Sequence, residues 1–363
     1  MHKKKSSFFL LIVLLPLFLE AGSRFLLFIK ERGTERHTAI IQEKGYVRLK
    51  PNYEYRSKDS NEKYSINSLG YRGREINKIK PKNKIRIVAL GGSITFGSGT
   101  SDNEHTYSAL LEEYLDEQID KATFADYSIE VVNAGIPGLR ADSLLIYLKE
   151  KVLELKPDIV IIFSGWNDWN YFLTQGYQVF DYQSPIYRLN MMLTENSVFY
   201  SKLRNVVTGY RAVIKGDKFK KRAFNVLRQD FFTITLSKNI KQIIEICRSN
   251  RVEPILLLQP PTLANFKVKN QSKFIERDPV FLEKKEVYPQ VLKKLQEIFM
   301  DIASENKIPL IDVSKNFGSV KYGDQYFIDI IHPSHVGNKL VARGISDWFL
   351  KFHKWNLPVK QAT

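Results

Sequence analysis

The sequence predicts an α/β domain, a three-layer α/β/α sandwich built on a five-stranded parallel sheet. Three observations lead there. Five short apolar runs recur between Ile85 and Val313. Stretches with helical periodicity separate the runs. The residues that carry chemistry fall after the runs or in the terminal loop. Continuous apolar strands alternating with helices indicate a parallel sheet covered on both faces, with right-handed crossovers.

Taken in order, the chain opens on the basic cluster His2-Lys3-Lys4-Lys5 and an apolar run from Phe8 to Leu19. Glu20-Ala21-Gly22-Ser23-Arg24 interrupts it, and Phe25–Ile29 resumes it. A basic flank before an apolar run is an export signal with the amino end inside. As a helix, Phe8–Ile29 is long enough to span a bilayer at ~1.5 Å rise per residue. Glu20 and Arg24 lie four apart and can pair on one face. These features favour an uncleaved anchor over residues 1–30, with secretion after cleavage near Ala21 or Ser23 as the alternative. Either places the bulk of the chain outside the cytoplasm.

Residues 31–80 read as a polar linker and domain-entry segment that becomes ordered near Asn67-Ser68-Leu69-Gly70-Tyr71-Arg72-Gly73. The catalytic domain is expected over 81–355. Its strands are Ile85–Leu90, Ile129–Val132, Ile159–Phe163, Pro254–Leu258 and Pro309–Val313. Helices are expected near 106–119, 141–154, 236–250, 285–305 and 336–352. The interval at about 170–235 is too long for a plain connection. It holds Trp169, Tyr171, Phe172, Tyr177, Phe180, Tyr182 and Tyr187, and from 171 on has ten basic against four acidic residues. It reads either as a substrate-binding insertion or lid, or as a helical insertion packing on the core or the membrane.

Composition narrows the function. Among 363 residues, 44% hydrophobic and 26% charged, wholesale disorder is excluded. The single cysteine, Cys247, excludes an intrachain disulfide and a Cys-based zinc site, and its apolar setting marks a buried helix residue. The net charge of +16 fits nucleic acid, an anionic membrane surface or an acidic polymer. The excess is spread along the chain and no zinc finger, RNA-binding signature or basic-region heptad accompanies it, so nucleic acid is set aside.

In parallel α/β sheets the active site lies beyond the carboxyl ends of the strands. After the first run comes Gly91-Gly92-Ser93-Ile94-Thr95-Phe96-Gly97, where glycines let the backbone turn and expose the Ser93 hydroxyl. The segment lacks the Gly-x-x-x-x-Gly-Lys-Ser/Thr pattern of a P-loop. After the second comes Asn133-Ala134-Gly135-Ile136-Pro137-Gly138, which places the Gly138 amide ahead of a helix as a candidate donor. After the third comes Gly165-Trp166-Asn167-Asp168, whose Asn167 amide is a second candidate. Near the end, Asp329-Ile330-Ile331-His332 sets an acid and an imidazole three apart, where the carboxylate can orient the ring that takes the serine proton. His335 is assigned a structural role, and His332 with His335 lacks the further ligands a zinc site needs.

These four blocks resemble the SGNH (GDSL-type) hydrolase family, named for its Ser, Gly, Asn and His, over about 84–352. The resemblance implies a flavodoxin-like α/β/α fold and no metal or other cofactor. It implies Ser93 as nucleophile, His332 as base and Asp329 as the triad acid. The oxyanion hole would be the Ser93 amide, the Gly138 amide and the Asn167 side chain. One position departs from the pattern: the family's Gly-Asp-Ser-Leu reads Gly-Gly-Ser-Ile here, with Gly92 in place of Asp. Asn67–Gly73 and the anchor also look like those of membrane-anchored bacterial members.

The expected function is an extracytoplasmic, membrane-tethered ester hydrolase that removes acyl groups, acetyl foremost, from an envelope polysaccharide, glycolipid or lipid. The partners are that acylated substrate and the membrane. Acyl transfer to a sugar on the same fold, or an envelope assembly or binding role on a degenerate hydrolase scaffold, are the alternatives.

Overall fold

A computed structural model describes residues 15, 18–24, 39–175 apart from 44–45, 58–61 and 119–126, positions 189, 192–193, 197, 199–200 and 203, and 219–352 apart from 229, 279 and 319–321. The chain divides into two compact units, residues 1–38 with 174–222, and 39–173 with 223–363.

In the second unit the strands β1 Ile40–Glu43, β2 Tyr46–Leu49, β3 Tyr53–Arg56 and β4 Lys63–Ile66 form two antiparallel hairpins. The stretch expected to be linker carries these four strands among its described residues. Its cohesion comes from cross-strand pairs: Tyr55 faces Tyr64 in register and their rings stack at 4.9 Å.

The sandwich follows. β5 Lys84–Gly91 leads into the single-turn helix α1 Ser93–Phe96 and then α2 Tyr107–Gln118. β6 Ser128–Gly135 is followed by α3 Ala141–Tyr147, which continues as a π turn and a 3₁₀ turn to Leu155. β7 Ile159–Phe163 runs into α4 Trp166–Gln175. After α5 Phe219–Leu227 and α6 Asp230–Ser249 come β8 Glu253–Leu257, α7 Gln271–Arg277 and α8 Phe281–Asn306. The short β9 Leu310–Ile311 and α9 His335–Phe352 complete the unit. Strand order is β6-β5-β7-β8-β9, all parallel. α2 packs with α9 beside β6, while α3, α6 and α8 pack together. Every residue of β7 is buried, as a strand covered on both faces requires.

All five expected strands are present, shifted at their ends by up to three residues. β9 is the exception in length, with only Leu310 and Ile311 paired. α6 begins at Asp230 and α8 at Phe281, both earlier than periodicity placed them. Trp169, expected in an aromatic insertion, is 1% exposed in α4 and belongs to the core. Phe172 is buried against Phe232 of α6. Cys247 is buried in α6. Tyr177, Phe180, Tyr182 and Tyr187 lie outside the described residues, as does most of Phe8–Ile29. Among the described residues no helix is long and apolar enough to cross a membrane.

At the amino ends of the strands, Arg86 and Glu130 face each other in register across β5 and β6, 2.5 Å apart and 0% and 3% exposed. Arg86 also donates to the Leu155 and Asn77 carbonyls at 2.6 Å. The opposite end of the sheet is free for chemistry.

Candidate active site

The sheet reverses its strand order around β5, which pairs with β6 on one side and β7 on the other. Such a switch point opens a crevice at the carboxyl ends. Gly91 is in register with both Gly135 and Phe163, so the loops after β5, β6 and β7 emerge side by side.

From β5 the chain turns into α1 through Gly92 alone. Space dictates the glycines here. A Cβ on Gly135 would stand 2.1 Å from the Phe96 amide nitrogen, so α1 lies directly on the end of β6. At the far end of α1, Gly97 has φ +87° and donates to the Ser93 and Ile94 carbonyls. Ser98 donates to the Ser93 carbonyl as well. Ser93 is thus the first residue of α1, with its carbonyl held by two amides. Its own amide is in the first turn, where a helix offers no internal acceptor.

His332 comes from the loop before α9. Asp329 Oδ1 accepts the Ile331 and His332 amides at 2.9 and 2.8 Å, which folds the loop around the carboxylate. His332 Nδ1 lies 2.6 Å from Asp329 Oδ2, and Nε2 lies 2.8 Å from Ser93 Oγ. An ionised carboxylate can only accept, so Nδ1 carries the proton and Nε2 accepts from the serine hydroxyl. Burial raises the Asp329 pKa, but the His332 hydrogen bond and charge and the two amides outweigh it and hold the group below the ordinary carboxylate value. The structure therefore joins Ser93, His332 and Asp329 in one chain of hydrogen bonds able to move a proton from Ser93 Oγ to the ring.

Asn167 lies in the first turn of α4, and its Nδ2 donates to the Leu139 carbonyl at 2.8 Å. It lines a pocket of about 260 Å³, part of it open to solvent, together with Gly92, Ser93, Leu139, Phe163 and Trp166. Gly138 has φ +81° in the loop before α3, a conformation that favours glycine, and its neighbour Leu139 forms the pocket wall. The structure thus brings Asn167 to Ser93 and links it to the Gly138 loop through Leu139. A Cβ on Gly92 would stand 2.6 Å from Asn167 Nδ2.

Sequence reasoning missed several supports. Asp168 is buried, accepts the Ala141 amide at 3.0 and 3.2 Å, and takes the Ser164 hydroxyl at 3.3 Å. It ties the loop after β7 to the loop after β6. Burial, with Asp142 adding to it, pushes its pKa up to about 7. The Asn-Asp dipeptide is its signal in the sequence, but nothing local shows that the Asp168 carboxylate turns inward onto the Ala141 amide. Trp166 and Trp169 pack on Tyr288 of α8 at 5.2 and 5.4 Å, which anchors α4. Gln259, after β8, donates to the Ser164 carbonyl. His335 begins α9, and its ring contacts that of His105 at 3.7 Å. Among the described residues no group of three or more His, Cys, Asp or Glu is placed to hold a metal ion.

The profile of the GDSL-like lipase/acylhydrolase family matches residues 89–340. No curated protein matches the chain. Among solved structures, the chain is similar to the lipase/acylhydrolase from Enterococcus faecalis (20% identity, 77% of this chain and 100% of that one, TM-score 0.41). It is also similar to a GDSL-like lipase from Bacteroides thetaiotaomicron (18% identity, 73% and 88%, TM-score 0.38). An acetyl xylan esterase is a third (18% identity, 72% and 98%, TM-score 0.40).

Proposed function

The chain belongs to the GDSL-like lipase/acylhydrolase family, and from that premise we propose a membrane-tethered serine ester hydrolase that works outside the cytoplasm. Its substrate is an acylated envelope polysaccharide, glycolipid or lipid, and the group removed is short, acetyl foremost. The observation that carries the reading is the unbroken run from Ser93 Oγ through His332 to Asp329, at 2.8 and 2.6 Å.

The chemistry follows from that run. Ser93 Oγ attacks the acyl carbon while its proton passes to His332 Nε2, and Asp329 stabilises the imidazolium. Negative charge develops on the acyl oxygen, which the Ser93 amide, the Gly138 amide and the Asn167 side chain receive. His332 returns the proton to the departing alcohol. Water then attacks the acyl carbon and gives a proton to His332, which passes it to Ser93 Oγ as the bond to the acyl group breaks and the acid leaves.

The pocket supports a short acyl group. Leu139, Phe163 and Trp166 wall it, which leaves little room beside Ser93 for a long chain. The basic flank and apolar run of residues 3–29 support export. Retention of the anchor is supported by Glu20. Its carboxylate pairs with Arg24 at 2.7 Å and accepts the Ser197 hydroxyl at 2.7 Å and the Phe199 amide at 3.0 Å, all within one compact unit. Cleavage near Ala21 would remove that partner, and pairing lowers the cost of a carboxylate in an apolar helix.

The test is esterase activity of the full-length protein on p-nitrophenyl acetate and on an acetylated polysaccharide, with Ser93→Ala as the control. Ser93→Ala is expected to lose nearly all turnover and all labelling by a fluorophosphonate. Unchanged activity in that variant sinks the assignment. Mass spectrometry with a sugar acceptor present is expected to find free acid, and transfer of the acyl group to the sugar overturns hydrolysis. The protein is expected to sediment with membranes.

A further inference from the structure

Arg72 is 3% exposed and sits between two aromatic rings, 4.9 Å from the Tyr64 centroid and 4.7 Å from that of Phe96. All five of its side-chain N–H donors are used. Nη1 donates to the Phe96 and Gly97 carbonyls at 3.1 and 2.8 Å. Nη2 donates to Thr100 Oγ1 and the Asp102 carbonyl at 2.9 and 2.8 Å, and Nε to Asn103 Oδ1 at 3.1 Å. Phe96 is the last residue of α1 and Gly97 its C-cap, whereas Ser93 is its first residue. The planar guanidinium therefore grips the carboxyl end of the helix that carries Ser93 at its other end. Carbonyls at a helix end carry partial negative charge and lack internal donors, which is what a buried cation can satisfy.

The grip is itself held. Asn103 donates to Ser65 of β4, and Arg72 bridges Ile66 and Asn133 through its main chain. The preceding turn is closed by Asn67 Oδ1, which accepts the Leu69 and Tyr71 amides. Burial lowers the Arg72 pKa to about 10, which leaves it charged at neutral pH.

We propose that Arg72 is a positioning residue for the nucleophile: from the entry segment, it fixes the place of α1 and so the distance from Ser93 Oγ to His332. This rests on Ser93 being the nucleophile. A four-residue helix has too few internal hydrogen bonds to hold its own orientation, and a misplacement near 1 Å costs about 10²-fold in rate.

The test measures kcat and KM on p-nitrophenyl acetate and the rate of fluorophosphonate labelling of Ser93 in full-length Arg72→Ala, Arg72→Lys and Thr100→Val. For Arg72→Ala, kcat and the labelling rate are expected to fall together by about 10²-fold with KM little changed. Millimolar guanidinium should restore part of both. Arg72→Lys, a point charge that cannot reach five acceptors, should not restore them. A folded Arg72→Ala that labels and turns over like wild type, even with a lowered melting temperature, overturns the proposal. If Arg72→Ala does not fold, Thr100→Val removes one acceptor at nearly constant volume. A drop in its labelling rate is then expected, and an unchanged rate overturns the proposal. Failure of wild type to label would instead count against Ser93 as nucleophile.

Discussion

A Cβ on residue 92 would stand 2.6 Å from Asn167 Nδ2, closer than any stable contact. A side chain at residue 92 and the Asn167 amide in its present place therefore compete for one space. One Asn167 N–H is committed to the Leu139 carbonyl, and the amide has a second N–H to offer in the pocket it lines. Gly92→Ala is expected to expel the amide and lower kcat by about 10²-fold, the scale of losing one oxyanion donor. Asn167→Ala should lower it similarly, and the double variant should lose little more than either alone. Steady-state kinetics on the three variants checks this, and additive losses would separate the two residues.

Asp168 makes stability depend on pH in an unusual direction. Its folded pKa of about 7 lies above the ordinary 3.8, so the folded state keeps a proton that the unfolded chain releases. The resulting contribution is complete below 3.8 and is lost as pH rises through 7. Relative to wild type, Asp168→Asn is expected to gain stability steadily across that window. Urea midpoints of both proteins at several pH values provide the measurement, and parallel curves would contradict the assignment.

Gly135 bears the weight of α1. A Cβ there meets Phe96 N at 2.1 Å and the Phe96 Cα and Thr95 carbonyl carbon at 2.6 Å, all backbone. Gly135→Ala must lift the helix. Overpacking of this kind costs about 1–3 kcal/mol, and turnover of the folded fraction is expected to fall as well. Calorimetry with Ser93 labelling reads both, and wild-type labelling would show that α1 had not moved.

The Arg86–Glu130 pair, at the other end of the sheet, predicts the reverse pattern. Glu130→Gln leaves a buried guanidinium without its counter-charge, and breaking such a pair costs about 3–5 kcal/mol. Stability should drop by that order in urea titrations, while the folded fraction labels at the wild-type rate.

Much of the fold was legible because parallel strands buried on both faces are written as unbroken apolar runs. Ile159–Phe163 is the clearest case, identical in sequence reading and structure. β1–β4 were not read. Antiparallel hairpins with one solvated face alternate in polarity, and β3 does so as Tyr53-Glu54-Tyr55-Arg56, but four residues are too short a run to stand out from a polar, turn-rich stretch. At the site, Ser93, Asn167, Asp329 and His332 declared themselves by reactive type and by following strands or helix-breaking loops. Asp168 and Arg72 did not, because their work consists of satisfying backbone groups distant in sequence. Arg72 reaches 24 residues ahead to Phe96, and no local pattern encodes that contact.

The main-chain bridge between Arg72 and Asn133 bears on how this protein can be cut. β6 is the outer strand of the sheet, and the bridge covers part of its open side. A fragment trimmed to the family-matched residues 89–340 would lose that cover along with most of β5. An uncovered strand is a template for other chains. A fragment therefore has to keep the segment that carries Arg72, and pieces trimmed past it are expected to self-associate.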